Sequence, residues 1–128
     1  MIKVALVDND RAFSFQIDGF IHRFMKEMNI DCEIVQYDNE IDFISDYLPI
    51  FDVIFINESL ENLHGIDVAK RLRLIDEKIP IIFFADTAEA AIKGYEVNAL
   101  DFIIKPVKYV SFIPKLKKLL AYFKILSS

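Results

Sequence analysis

Apolar residues along this chain alternate between two patterns. Short, nearly continuous apolar runs occur at 2–7, 32–37, 52–56, 79–84 and 101–104, and runs of that length predict buried strands. Longer segments between them carry apolar residues at helical spacing. The first, 11–28, sets Phe13, Ile17, Phe20, Ile21, Phe24 and Met28 on one stripe and leaves Asp18, His22 and Lys26 elsewhere, as a helix packed by one face requires. Further helices are predicted at 39–48, stopped by Pro49, at 66–75 after Gly65, and at 88–97, with Asp86 or Thr87 as N-cap. In the last helix Phe112, Leu116, Leu119, Leu120 and Phe123 form the stripe and lysines take the opposite side. Pro114 requires that helix to begin only a few residues before it.

Five strand–helix repeats with nearly all-apolar strands predict an α/β fold, a parallel sheet covered by helices on both faces. The commonest topology for five such strands is the flavodoxin-like (βα)5 three-layer sandwich of order 2-1-3-4-5. The length, 128 residues, suits one domain over 1–128. Ligands in this architecture collect beyond the carboxyl ends of the strands, at the switch point between strands 1 and 3.

Charge sharpens the picture. The net −5 conceals a −11 body, with nine basic and twenty acidic residues up to Asp101, and a +6 tail holding Lys105, Lys108, Lys115, Lys117, Lys118, Lys124 and no acid. An acidic body argues against direct nucleic-acid binding by this domain. The N-terminus lacks the basic, apolar and small-residue succession of a secretory signal. No apolar run approaches the roughly 20 residues that span a bilayer, so a cytoplasmic protein without membrane contact is expected. Cys32, the single cysteine, sits in an apolar run and reads as a buried structural thiol.

The strand ends hold the candidate chemistry: Asp8-Asn9-Asp10, Asn57-Glu58, Ala85-Asp86-Thr87 and Lys105-Pro106. With the stretches 4–10, 52–57 leading to Gly65-Ile66, and above all 94–106 (Gly-Tyr-Glu-Val-Asn-Ala-Leu-Asp-Phe-Ile-Ile-Lys-Pro), the whole chain resembles the receiver domain of bacterial two-component response regulators. It is similar to the CheY-like superfamily in general and to receivers of LytTR-type regulators in particular. The resemblance implies a nucleophilic aspartate ending strand 3, acids after strand 1 that hold a divalent metal, and a hydroxyl and a lysine that bind phosphoryl oxygens.

Carried over position by position, part of that set is missing. Asn57 stands at the phosphoacceptor position, where an amide cannot form an acyl phosphate; Asn9 replaces one acid of the pocket Asp8, Asn9, Asp10; Ala85 replaces the hydroxyl. Lys105 matches, Phe102 keeps the ring of the switch aromatic, and Pro106 is the cis-proline candidate. Magnesium binding is expected to be weak or absent, with no cofactor, no resident metal and no enzymatic activity. Lys105 and the Asn57 amide are expected to pair with Asp8. Glu58 is rejected as a displaced acceptor because one step along a strand reverses side-chain direction. His22 and His64 lack second ligands and read as solvated.

An engineered block at Asn57 alone would leave Asn9 and Ala85 unexplained; the three together favour a natural pseudo-receiver. Its function would lie in contacts with a protein partner or output domain. The resemblance implies a face formed by helix 4, strand 5 and helix 5, here carrying Tyr95, Lys108, Lys115, Lys118 and Tyr122, which suits a homodimer. A blocked or truncated receiver of a LytTR-type DNA-binding regulator is the first alternative. A small flavodoxin-like ligand-binding protein is the second, although no glycine-rich loop follows strand 1.

Overall fold

A strand covered by helices on both sides must be apolar at every position, because successive side chains point to opposite faces. The structure, a computed structural model describing residues 1–125, follows this rule. Its elements run β1 (Ile2–Val7), α1 (Arg11–Glu27), β2 (Cys32–Tyr37), α2 (Glu40–Ser45), β3 (Val53–Asn57), α3 (Gly65–Ile75), β4 (Ile81–Ala85), α4 (Ala88–Ile92), a 3₁₀ segment (Lys93–Val97), β5 (Asp101–Ile104) and α5 (Tyr109–Tyr122). The strands form one parallel sheet in the order β2-β1-β3-β4-β5. β3 and β4 are buried throughout, whereas the edge strands β2 and β5 are only partly covered.

Alternation along the strands builds two cores. Val4, Leu6, Phe55 and Phe84 face α1 and α5, meeting Ile17, Ile21, Phe24, Phe112 and Leu116. Ala5, Val7, Ile54, Ile56 and Phe83 face the other layer, meeting Phe43, Val68, Leu72 and Val97. The same alternation carries Asn57 to the Phe55 side of the sheet and Glu58 to the Ile56 side.

Several boundaries differ from the sequence expectation. β3 starts one residue later, since the Asp52 carboxylate caps the Lys3 amide at 2.8 Å. β4 starts at Ile81 because Pro80 has no N–H to donate to the ladder. α2 ends at Ser45 rather than at residue 48, and Tyr47 turns in to pack edge-on against Phe43. The fourth helix tightens into the 3₁₀ segment after Ile92 and ends at Asn98, whose φ of 53° is left-handed. In α1, Ser14 and Met25 are also buried beside the expected stripe. Thr87, not Asp86, caps α4, accepting from the Ala90 amide at 3.2 Å. Pro114 lies five residues into α5, deeper than the expected first turn. No helix among the described residues is long and apolar enough to cross a membrane.

Candidate functional site

The carboxyl ends of β1, β3 and β5 bring Asp8, Asn57 and Lys105 together. Asp8 is 4 % exposed. Its Oδ1 accepts from the Asp10 amide at 2.9 Å and from Asn57 Nδ2 at 3.3 Å, and its Oδ2 lies 3.4 Å from Lys105 Nζ. Burial pushes the Asp8 pKa upward from its ordinary value, opposed by the Asp10 amide and by the Lys105 charge. Asn57 Nδ2 also donates to the Ser59 carbonyl at 2.9 Å, which fixes the amide orientation. Lys105 Nζ rests 4.0 Å from the centroid of the Phe13 ring. The Lys105-Pro106 peptide is cis.

Other residues of the expected pocket point elsewhere. Asn9 Oδ1 accepts from the Glu61 amide at 2.8 Å, and Asn9 Nδ2 donates to the Asp38 carbonyl at 2.9 Å and to Glu40 at 3.4 Å. Asp10 is exposed and caps α1, accepting from the Phe13 amide at 3.0 Å. Ala85 is buried and brings only a methyl group to the end of β4. The Glu58 carboxylate sits 4.0 Å from His64, and His22 bonds Asp18 at 2.7 Å.

A divalent metal does not fit these donors. The Asp8 carboxylate is held by an ammonium and two N–H groups, the buried Glu58 carboxylate lies on the opposite side of the sheet near His64, Asn9 and Asp10 are turned to protein partners, and Asn57 directs its amide nitrogen inward. Among the described residues no three His, Cys, Asp or Glu side chains are grouped to hold a metal ion.

Glu40 was not visible as a site residue from the sequence. It is fully buried, and Oε1 accepts from Asn62 Nδ2 at 2.7 Å and from the Asn62 amide at 3.3 Å. An acid in the first turn after an Asn cap reads as an ordinary helix start, so no local signal marks it.

The expected interaction residues lie on the 3₁₀ segment and on or just before α5. Tyr95 and Tyr122 are 76 % and 51 % exposed, and Lys108 is exposed. Lys115 and Lys118 turn toward Asp101, at 3.0 and 3.5 Å. Phe102 is half-buried, with Lys115 Nζ 5.5 Å from its ring. A cleft of about 270 Å³ lies there, walled by Ala91, Tyr95, Leu100, Phe102 and Lys118.

Comparison with known proteins agrees with the fold. Residues 4–117 match the response regulator receiver domain family. The sensory transduction protein LytT of Bacillus subtilis is 30 % identical over 118 residues, covering 92 % of this chain and 48 % of that protein. Sensory transduction protein LytR of Staphylococcus epidermidis is 38 % identical over 56 residues, 44 % of this chain and 22 % of that protein. The chain thus spans about half the length of the LytT relatives it matches. The non-phosphorylated HemR receiver domain from Leptospira biflexa superposes with a TM-score of 0.81 at 18 % identity, covering 94 % of this chain and 95 % of that one. Chemotaxis protein CheY4 of Vibrio cholerae gives 0.74 at 19 % identity, covering 94 % and 99 %. With this sheet order, these strand-end residues and a match across most of its length, the chain belongs to the response regulator receiver domain family of two-component signalling.

Proposed function

We propose that this receiver signals without aspartyl phosphorylation, as a non-enzymatic domain whose output is a protein contact. The observation that carries this reading is Asn57 at the phosphoacceptor position, with its amide donating to Asp8 while Lys105 neutralises the same carboxylate. An amide nitrogen offers no nucleophilic oxygen anion to a phosphoryl donor. The contact surface is the face of α4, β5 and α5, where Tyr95 is exposed at the Phe102 cleft and Tyr122 is exposed on α5. A second copy of the chain or an output domain is the partner. Incubation with acetyl phosphate and Mg²⁺ followed by intact-mass measurement is expected to leave the mass unchanged. A phosphate adduct that disappears in Asn57→Ala overturns the reading.

A second reading has its own support. Because the chain covers 48 % of LytT, the domain serves as the receiver of a longer LytTR-type regulator, with DNA binding in another segment. Sequencing the native gene beyond Ser128 tests it: a following output domain supports this reading, and a stop codon removes it.

A further inference from the structure

Three loops meet above the strand ends, and their links are side chains of this chain. Asn9, after β1, binds the Glu61 amide, the Asp38 carbonyl and Glu40. Glu40, at the start of α2, binds both the backbone and the side-chain nitrogen of Asn62. Asn57 adds its bond to the Ser59 carbonyl. All of these contacts except the Asn9 bond to the Asp38 carbonyl reach the segment between β3 and α3 or Glu40, which holds it. Glu40 is fully buried, and its hydrogen-bond partners are amide nitrogens, with no ammonium or guanidinium within ion-pair distance among the described residues. Moving residues 58–64 outward would strip donors from a buried carboxyl group, which is costly.

We propose that Asn9, Glu40 and Asn62 form a latch that holds residues 58–64 in one arrangement independently of any divalent cation or phosphoryl donor. The latch supplies through amide donors the ordering that a bound cation could otherwise give. Asn9 is central because it carries a donor and an acceptor; an aspartate there would repel Glu40 and Asp38 instead of bonding to them. This deepens the phosphorylation-independent reading by giving the regulation of the same site. Its readout is loop protection rather than phosphate transfer, so the two fail separately.

Amide hydrogen exchange by NMR on the whole chain tests the latch. In the unmodified protein, the Glu61 and Asn62 amides should exchange at the same rates in MgCl₂ and in EDTA. Asn62→Ala, at an exposed position, should speed exchange of the residue-62 amide by about tenfold, because the remaining amide bond to Glu40 loses the side-chain bond that anchors it. Asn9→Ala should do the same at Glu61, and the Ile54 and Phe55 amides should keep their rates in both variants. Slower exchange at Glu61 and Asn62 on adding Mg²⁺ overturns the proposal, as do unchanged rates in both variants. Running the acetyl phosphate mass measurement on the same samples shows separately whether the phosphorylation-independent reading holds.

Discussion

Lys105 reaches from the end of β5 to Asp8 at the end of β1, Nζ to Oδ2 at 3.4 Å, under the face of the Phe13 ring. The ion pair is largely enclosed, with side-chain exposures of 19 % and 5 %. Removing one partner of such a pair leaves the other buried without compensation. Lys105→Met should therefore cost about 2 kcal/mol at pH 7, less than for a fully buried pair because Lys105 keeps some solvent contact. The loss should shrink at acid pH, where Asp8 takes up its proton, and the Asp8 pKa should move further up. Urea denaturation across pH and ¹³C titration of the Asp8 carboxyl check both; an unmoved titration would show that the pair contributes nothing.

The upward shift at Asp8, which burial causes, also fixes the sign of its pH dependence. Between the ordinary value of 3.8 and the higher value in the fold, the native state keeps a proton that the unfolded chain has released. The Asp8 contribution to stability is therefore complete below 3.8 and declines as pH rises through the folded value. Asp8→Asn should flatten the stability profile in that window. A profile equally steep in the variant would assign the slope to other acids.

Asn57→Asp, the change that restores a carboxylate at the end of β3, places it beside Asp8. Both Asn57 donations, to Asp8 and to the Ser59 carbonyl, become repulsions. The variant should lose about 2 kcal/mol at neutral pH, the cost of exchanging buried donors for an unpaired charge. Part of this loss returns below pH 4, on the order of the carboxyl range. Thermal melts at the two pH values measure it, and equal melting temperatures for variant and parent at pH 7 would contradict the geometry.

The sequence carried the fold further than it carried the site. Apolar runs such as Ile81–Ala85 and the stripe of Ile17, Ile21 and Phe24 are set by burial, which leaves a periodic signature. Asp8, Asn57 and Lys105 were legible because they end strands of one parallel sheet, and that topology brings strand ends together. Glu40 was not legible, since its burial depends on Asn62 arriving from 22 residues away. Nor was the turning of Asp10 to the α1 cap, where helix capping competes with a place in the pocket and prevails. The lysines of the last helix read as the side opposite its apolar stripe, but the enclosed Asp101 carboxylate draws two of them, Lys115 and Lys118, toward it.

Two glycines with opposite surroundings offer a paired test. A Cβ on Gly65 would stand 2.4 Å from the Asn57 carbonyl oxygen and 2.9 Å from the Glu58 Cα, both backbone atoms. Gly65→Ala must therefore displace the segment that carries Asn57, at a cost of about 1 to 3 kcal/mol. Gly19 lies exposed within α1, and a Cβ there meets nothing within 4 Å. Gly19→Ala should stabilise by about 0.5 to 1 kcal/mol, the difference in helix preference. Urea denaturation should move the two midpoints in opposite directions, and a neutral Gly65→Ala would mean that the loop yields freely.

Asp101 decides how many tail lysines remain for a partner. Its side chain is 8 % exposed; Oδ1 accepts from Lys115 Nζ at 3.0 Å and from the Phe102 amide at 2.9 Å. Lys118 approaches Oδ2 at 3.5 Å, yet that oxygen has no hydrogen-bond donor among the described residues. Lys115 is thus the better-placed of the two cations and also lies near the Phe102 ring. Lys115→Met should lose about 1 to 2 kcal/mol by leaving a buried carboxylate with only Lys118. Lys117→Met, at an exposed site with no acidic partner among the described residues, should change stability by less than about 0.5 kcal/mol. Denaturation midpoints separate the two lysines, and sedimentation of both variants reads dimer formation. If Lys115→Met proves as harmless to stability as Lys117→Met but weakens self-association, Lys115 belongs to the interface and Asp101 relies on Lys118 alone.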